Sequence, residues 1–212
     1  ESTKLAGIDP KRPVVRESLC GSMDEFEYLA ALVSVVAGLS LARALSGVAD
    51  ILDSGQSLIR SDLQIVWTIN VLIWLVGFWW FTFMLSSVDN WTVLLLLFVL
   101  LYGAVIYLLV ALLHPNSKAD TAGAADDFVA RRKPFFATFL TLGLVDIADT
   151  LIKTEIYAMP GPPTQWYWAL MIIWILLGAY AWTSASQMFH RIYAYCWLVI
   201  IAGWNVSTLT SL

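Results

Sequence analysis

Apolar and polar positions do not alternate along this chain; they come in blocks. Six apolar runs of about bilayer length, at residues 26–52, 62–85, 91–113, 134–158, 164–188 and 192–210, are separated by short polar breaks and one longer break at 114–133. Each run predicts a transmembrane helix, because an open strand cannot satisfy its backbone in hydrocarbon. Pro115 stops the third helix, Pro134 suits the first turn of the fourth, and the turn formed by Pro160, Gly161, Pro162 and Pro163 divides the fourth from the fifth. The expected fold class is therefore all-α: a polytopic membrane protein with about six transmembrane helices in a single domain over residues 23–212.

Residues 1–22 stand apart from these blocks. They carry Lys4, Lys11, Arg12, Arg16 and two prolines, and they lack the apolar stretch of a secretory signal. The expectation is a polar leader, disordered or not native to the chain, with Met23 as the start. From Met23 onward, Arg60, Lys118, Arg131, Arg132, Lys133 and Arg191 fall on one side of the alternating spans and none falls on the other. The positive-inside rule then makes 114–133 a cytoplasmic loop and puts both ends outside, in a bacterial inner (plasma) membrane. The four basic residues of the leader oppose this orientation without reversing it. Trp91, Trp166, Tyr167 and Trp168 at one face, with Trp67 and Tyr193 at the other, are expected as interfacial anchors.

Composition agrees with a lipid setting. Hydrophobic residues make up 59% of the 212, and 11 are tryptophan, with a mean hydropathy of +0.74. A net charge of −4 argues against nucleic acid, since phosphate binding needs clustered Lys and Arg on a solvated face. The expected partners are the lipid bilayer and a second copy or another membrane protein. Cys20 and Cys196 are poorly placed to pair and belong to no metal spacing, so neither a disulfide, a metal nor a cofactor is expected.

The costly residues lie in the fourth run. Counted from Pro134, Asp146 falls about 18 Å into the span and Asp149 one turn further. With Lys153 they form a single stripe, and Asp149 to Lys153 is the favourable acid-before-base order at i,i+4. Asp146 needs a second partner, because an unpaired carboxylate in hydrocarbon is expensive. Arg43 in span one and Asn70 in span two are the candidates. Arg43 is otherwise a snorkelling residue, and His114 and His190 are read as span-end residues without catalytic or metal roles. Small residues on span one (Ala30, Ser34, Ala37, Gly38, Ala42, Ser46) predict close approach of another helix and a central position.

Two weaker patterns complete the reading. Ala49-Asp50 with Ala148-Asp149, Ile73-Trp74 with Ile173-Trp174, and Gly103 with Gly203 recur at an offset near 100 residues, as a 3+3 inverted repeat would place them. The Pro162–Trp168 run resembles part of the tryptophan-rich TspO sensory proteins over under a tenth of the chain and in the wrong half, so no family is assigned from it. Intramembrane ionisable groups point to a small transporter or channel for protons, ions or a small solute, with Asp146, Asp149, Lys153, Arg43 and Asn70 as its candidate residues. The alternative is a non-catalytic membrane accessory or scaffold subunit. An enzyme is the least favoured reading, since the chain holds no nucleophile-elbow, zinc-protease or Asp-rich metal motif.

Overall fold

The computed structural model describes residues 25–53, 62–88, 91–114, 124–158 and 164–210, and all of its regular elements are helical. The helices are α1 (Glu25–Asp53), α2 (Asp62–Phe83), α3 (Val93–Leu113), α4 (Ala124–Leu151), α5 (Thr164–Thr183) and α6 (Gln187–Thr210). A short 3-10 turn, Met84–Ser87, extends α2, and a π-helical turn, Ile152–Ile156, extends α4. Five segments are long and apolar enough to cross a membrane: Phe26–Asp53, Asp62–Ser87, Val93–Leu113, Phe128–Ile156 and Gln165–Thr183. Helix α6, at 24 residues, matches them in length but is less apolar, carrying Gln187, His190, Arg191 and Asn205. Residues 1–22 and part of the central segment, 115–123, lie outside the described residues.

Successive helices run antiparallel. Phe26 meets Phe83 across α1 and the end of α2, Trp74 meets Tyr102 across α2 and α3, and Arg132 reaches the Thr183 carbonyl across α4 and α5. One end of the bundle thus gathers the start of α4 and the end of α3 and is called here the central-segment end; the other is the terminal end. An aromatic cluster fills the middle. The Trp67 ring is fully buried and sits edge-on to Phe135, Phe136, Phe139 and Tyr193, with centroids 5.1 to 5.6 Å away. Trp174 continues the cluster against Trp74 at 4.8 Å and Trp197 at 5.0 Å. Such edge-to-face pairs add to the burial of large apolar area.

Several expectations change here. Helix α4 begins at Ala124, so Pro134 lies inside a helix and Arg131, Arg132 and Lys133 ride on its early turns. The cause is Phe128, which is buried against Phe135, Phe136 and His190 and gives the stretch before Pro134 an apolar anchor. Likewise α5 ends at Thr183, before Met188, and α6 starts at Gln187, where the Ser186 hydroxyl accepts from the Phe189 amide. Trp67, Tyr193 and Tyr167 belong to the core, while Trp166 is exposed as an anchor would be. Helix α1 is peripheral: its most apolar stretch is 22% buried against 47% for α2. Ser34, Gly38, Ala42 and Ser46 face outward, and a Cβ at Gly38 would meet nothing within 4 Å. The packing does not show the 3+3 repeat, since α3 lies chiefly on α1 whereas α6 lies chiefly on α2.

Candidate functional site

Asp146, Asp149 and Lys153 occupy the terminal-end half of α4 and its π turn. With a rise of about 1.5 Å per residue, Asp146 lies about 6 Å past the middle of the apolar stretch Phe128–Ile156, Asp149 about 10 Å and Lys153 about 16 Å, near its terminal end. The three groups form a stair from that end toward the middle of the helix. Lys153 Nζ sits 2.6 Å from Asp149 Oδ2, with both side chains largely buried. The π turn that holds Lys153 carries one extra residue per turn, a geometry common where helices serve function.

Asp146 is held from two other helices. The Tyr102 hydroxyl of α3 donates to Oδ1 at 2.7 Å, and the Tyr167 hydroxyl of α5 donates to Oδ2 at 3.0 Å. Tyr102 in turn accepts from the Trp74 indole of α2 at 3.2 Å. Four helices therefore converge on one carboxyl group through neutral donors. A carboxylate so placed is solvated by phenols, and the same hydroxyls can reorient when it takes up a proton.

The expected partners of Asp146 lie elsewhere. Arg43 donates to the backbone carbonyl of His114, and Gln64 donates to that of Leu113, so together they close the last carbonyls of α3. This is a structural clasp at the central-segment end. Thr68 Oγ1 meets His114 Nε2 at 2.8 Å, and the ring packs so tightly on Gly47 that a Cβ there would fall on its Cγ and Nδ1. His114 lies just past the α3 span, where burial, and next the Arg43 guanidinium, push its imidazole down to about 4 against an opposing effect of Asp50. Asn70 sits in the core, donating to the Ala194 carbonyl at 3.0 Å, and ties α2 to α6. Asp62 pairs with Arg191 at 3.0 Å at the central-segment end.

The residues missed from the sequence are Tyr102, Tyr167 and Trp74. One signal could have found them: a phenol at mid-span, as Tyr102 is, needs an acceptor when water is absent. Among the described residues no group of three His, Cys, Asp or Glu side chains could hold a metal ion. Compared with protein-family models, curated proteins and solved structures, the chain matches none of them, so its site is read from its own geometry.

Proposed function

We propose that this chain is a six-span membrane protein that moves protons or small cations by way of Asp146 and Asp149. The observation that carries the reading is the stair of ionisable groups, Lys153 to Asp149 to Asp146, which ends on a carboxyl group served by two tyrosine hydroxyls. A bilayer penalises such groups, and a purely structural helix contact would be made at lower cost by apolar packing. Beyond Asp146 the Trp67 and Trp174 cluster closes the route toward the central-segment end, as the barrier of a gated carrier would. In this reading α6 spans with the other five, and the central segment faces the cytoplasm of a bacterial inner membrane.

A second reading has its own support. Both Asp146 oxygens are engaged by other helices, an arrangement that also suits a lock in an accessory or scaffold subunit. Purified protein in liposomes under a proton or potassium gradient separates the two. Transport predicts flux above protein-free vesicles, lost in Asp146→Asn with thermal stability kept. Absence of flux from the unmodified protein, with Asp146→Asn losing stability, supports the lock. Orientation is tested by a single cysteine at position 117 in a chain freed of Cys20 and Cys196: it should resist impermeant reagent on intact cells, and labelling from outside would reverse the assignment.

A further inference from the structure

The stair from Lys153 to Asp146 has a gap in it. Asp149 takes its hydrogen bond from Lys153, and among the described residues no hydrogen bond joins Asp149 to Asp146. Both oxygens of Asp146 are engaged instead by phenols, Oδ1 by Tyr102 and Oδ2 by Tyr167. A proton bound for this carboxylate therefore arrives through one of the two tyrosines, and the other partners of those tyrosines decide which.

Tyr102 is a closed branch. Its oxygen accepts from the Trp74 indole, and an indole N–H only donates, so Trp74 offers no lone pair on which a proton could be taken up and passed along. Tyr167 is an open branch. Its hydroxyl also bonds the Thr150 hydroxyl, and because its single hydrogen is directed to Asp146, Thr150 is the donor in that bond. Thr150 differs here from its neighbours on the same helix and π turn. Thr138, Thr141 and Thr154 each donate to the carbonyl four residues back, whereas the carbonyl four residues before Thr150, that of Asp146, accepts from Tyr167. Tyr167 is 4% exposed and Thr150 is only partly buried, so Thr150 is the outer member of the pair, on the helix stripe between Asp146 and Lys153.

We propose that Thr150 and Tyr167 form a hydroxyl relay that carries protons between the terminal end and Asp146, an assignment that rests on the transport reading and narrows its cargo to the proton. On loading, a hydronium ion gives a proton to Thr150 Oγ1 and leaves as water. The proton that Thr150 held passes to Tyr167 Oη, and the one that Tyr167 held passes to Asp146 Oδ2. Each hydroxyl gains one proton and loses one, so both end neutral while the carboxylate becomes the acid. Rotation of the two hydroxyls resets the chain. A metal cation cannot be handed along O–H bonds, so the relay excludes it. Because the Tyr102 branch is closed, Asp146 exchanges its proton with the terminal end alone in this arrangement of the helices.

The test reads proton and potassium flux in liposomes holding the full chain, together with the unfolding stability of each variant. Tyr167→Phe and Thr150→Val should each lower proton flux at least about tenfold. Thr150→Ser, which keeps the hydroxyl, should retain it, and Tyr102→Phe should lower it less although it removes the more deeply tied phenol. A purely structural network predicts the opposite order, with flux following stability. Proton flux kept in Tyr167→Phe or in Thr150→Val, lost in Thr150→Ser, or lost furthest in Tyr102→Phe overturns the relay and leaves the transport reading standing. Potassium flux without proton flux does the same. No flux of either ion from the unmodified protein overturns both. Thr150→Val keeps the relay open to refutation should Tyr167→Phe fail to fold.

Discussion

Replacing Tyr102 by Phe removes two hydrogen bonds with one oxygen atom, and this predicts an asymmetry between the two tyrosines that serve Asp146. Tyr102 gives up its bond to Oδ1 and strands the Trp74 indole, whereas the Tyr167 hydroxyl gives up Asp146 Oδ2 at 3.0 Å and its backbone carbonyl at 3.3 Å, together with a bond to the exchangeable hydroxyl of Thr150, which is only partly buried. Hydrogen bonds between transmembrane helices average about 0.6 kcal/mol and reach about 1.7. A buried donor left without a partner adds about 1–3 kcal/mol. Tyr167→Phe should therefore cost about 1 kcal/mol and Tyr102→Phe about 2–4. Reversible unfolding in mixed micelles, followed by tryptophan fluorescence, gives both values and that of the double variant. The two losses should not add, because both hydroxyls act on one carboxyl group. A Tyr167→Phe loss equal to or larger than that of Tyr102→Phe would refute the network as drawn.

Two further outcomes follow from the central-segment end. Gly47→Ala should destabilise by about 1–3 kcal/mol in the same unfolding assay, since the new methyl group must displace the His114 ring that Arg43 and Thr68 surround; a neutral result would mean that α1 and α3 are less tightly joined. His114 has a folded-state pKa of about 4, below its ordinary 6.5, so the unfolded chain binds the proton more readily between these values. Its contribution to stability is complete above about pH 6.5 and is lost as pH falls toward 4. A melting series over that range should show the loss, and His114→Gln should flatten it.

Much of the fold was legible because apolar runs long enough to cross a bilayer satisfy their backbone most simply as helix. Helices α2 and α3 begin and end within a few residues of the positions that their apolar runs predict. The start of α4 was not legible, because Pro134 and three consecutive basic residues mask a helix whose stabilising contact, Phe128 on Phe136 and His190, is made with a distant part of the chain. At the site, the Asp149 and Lys153 contact follows from spacing alone. The partners of Asp146 do not, for a tyrosine is amphipathic: Tyr167 at the start of a span has the same local pattern whether its hydroxyl meets headgroups or a buried carboxylate. Small residues misled for a similar reason, since their spacing marks a smooth face on α1 without saying whether the bundle or the outside lies against it.

The peripheral seat of α1 gives the bundle a direction of mechanical weakness. At the terminal end this helix is fastened by Phe26 against Phe83 and Trp91, and toward the central-segment end by Arg43 and Gly47 against His114. Tension applied at the amino end, with the protein held in a bilayer, loads the aromatic fastening first and the histidine fastening second. Helix α1, about 43 Å long, would then be drawn out as one unit while α2, α4, α5 and α6 stay joined around Trp67 and Trp174. The two fastenings and the packed face between them, where Leu29, Val33 and Ala44 are buried, would together set the force at which that unit leaves.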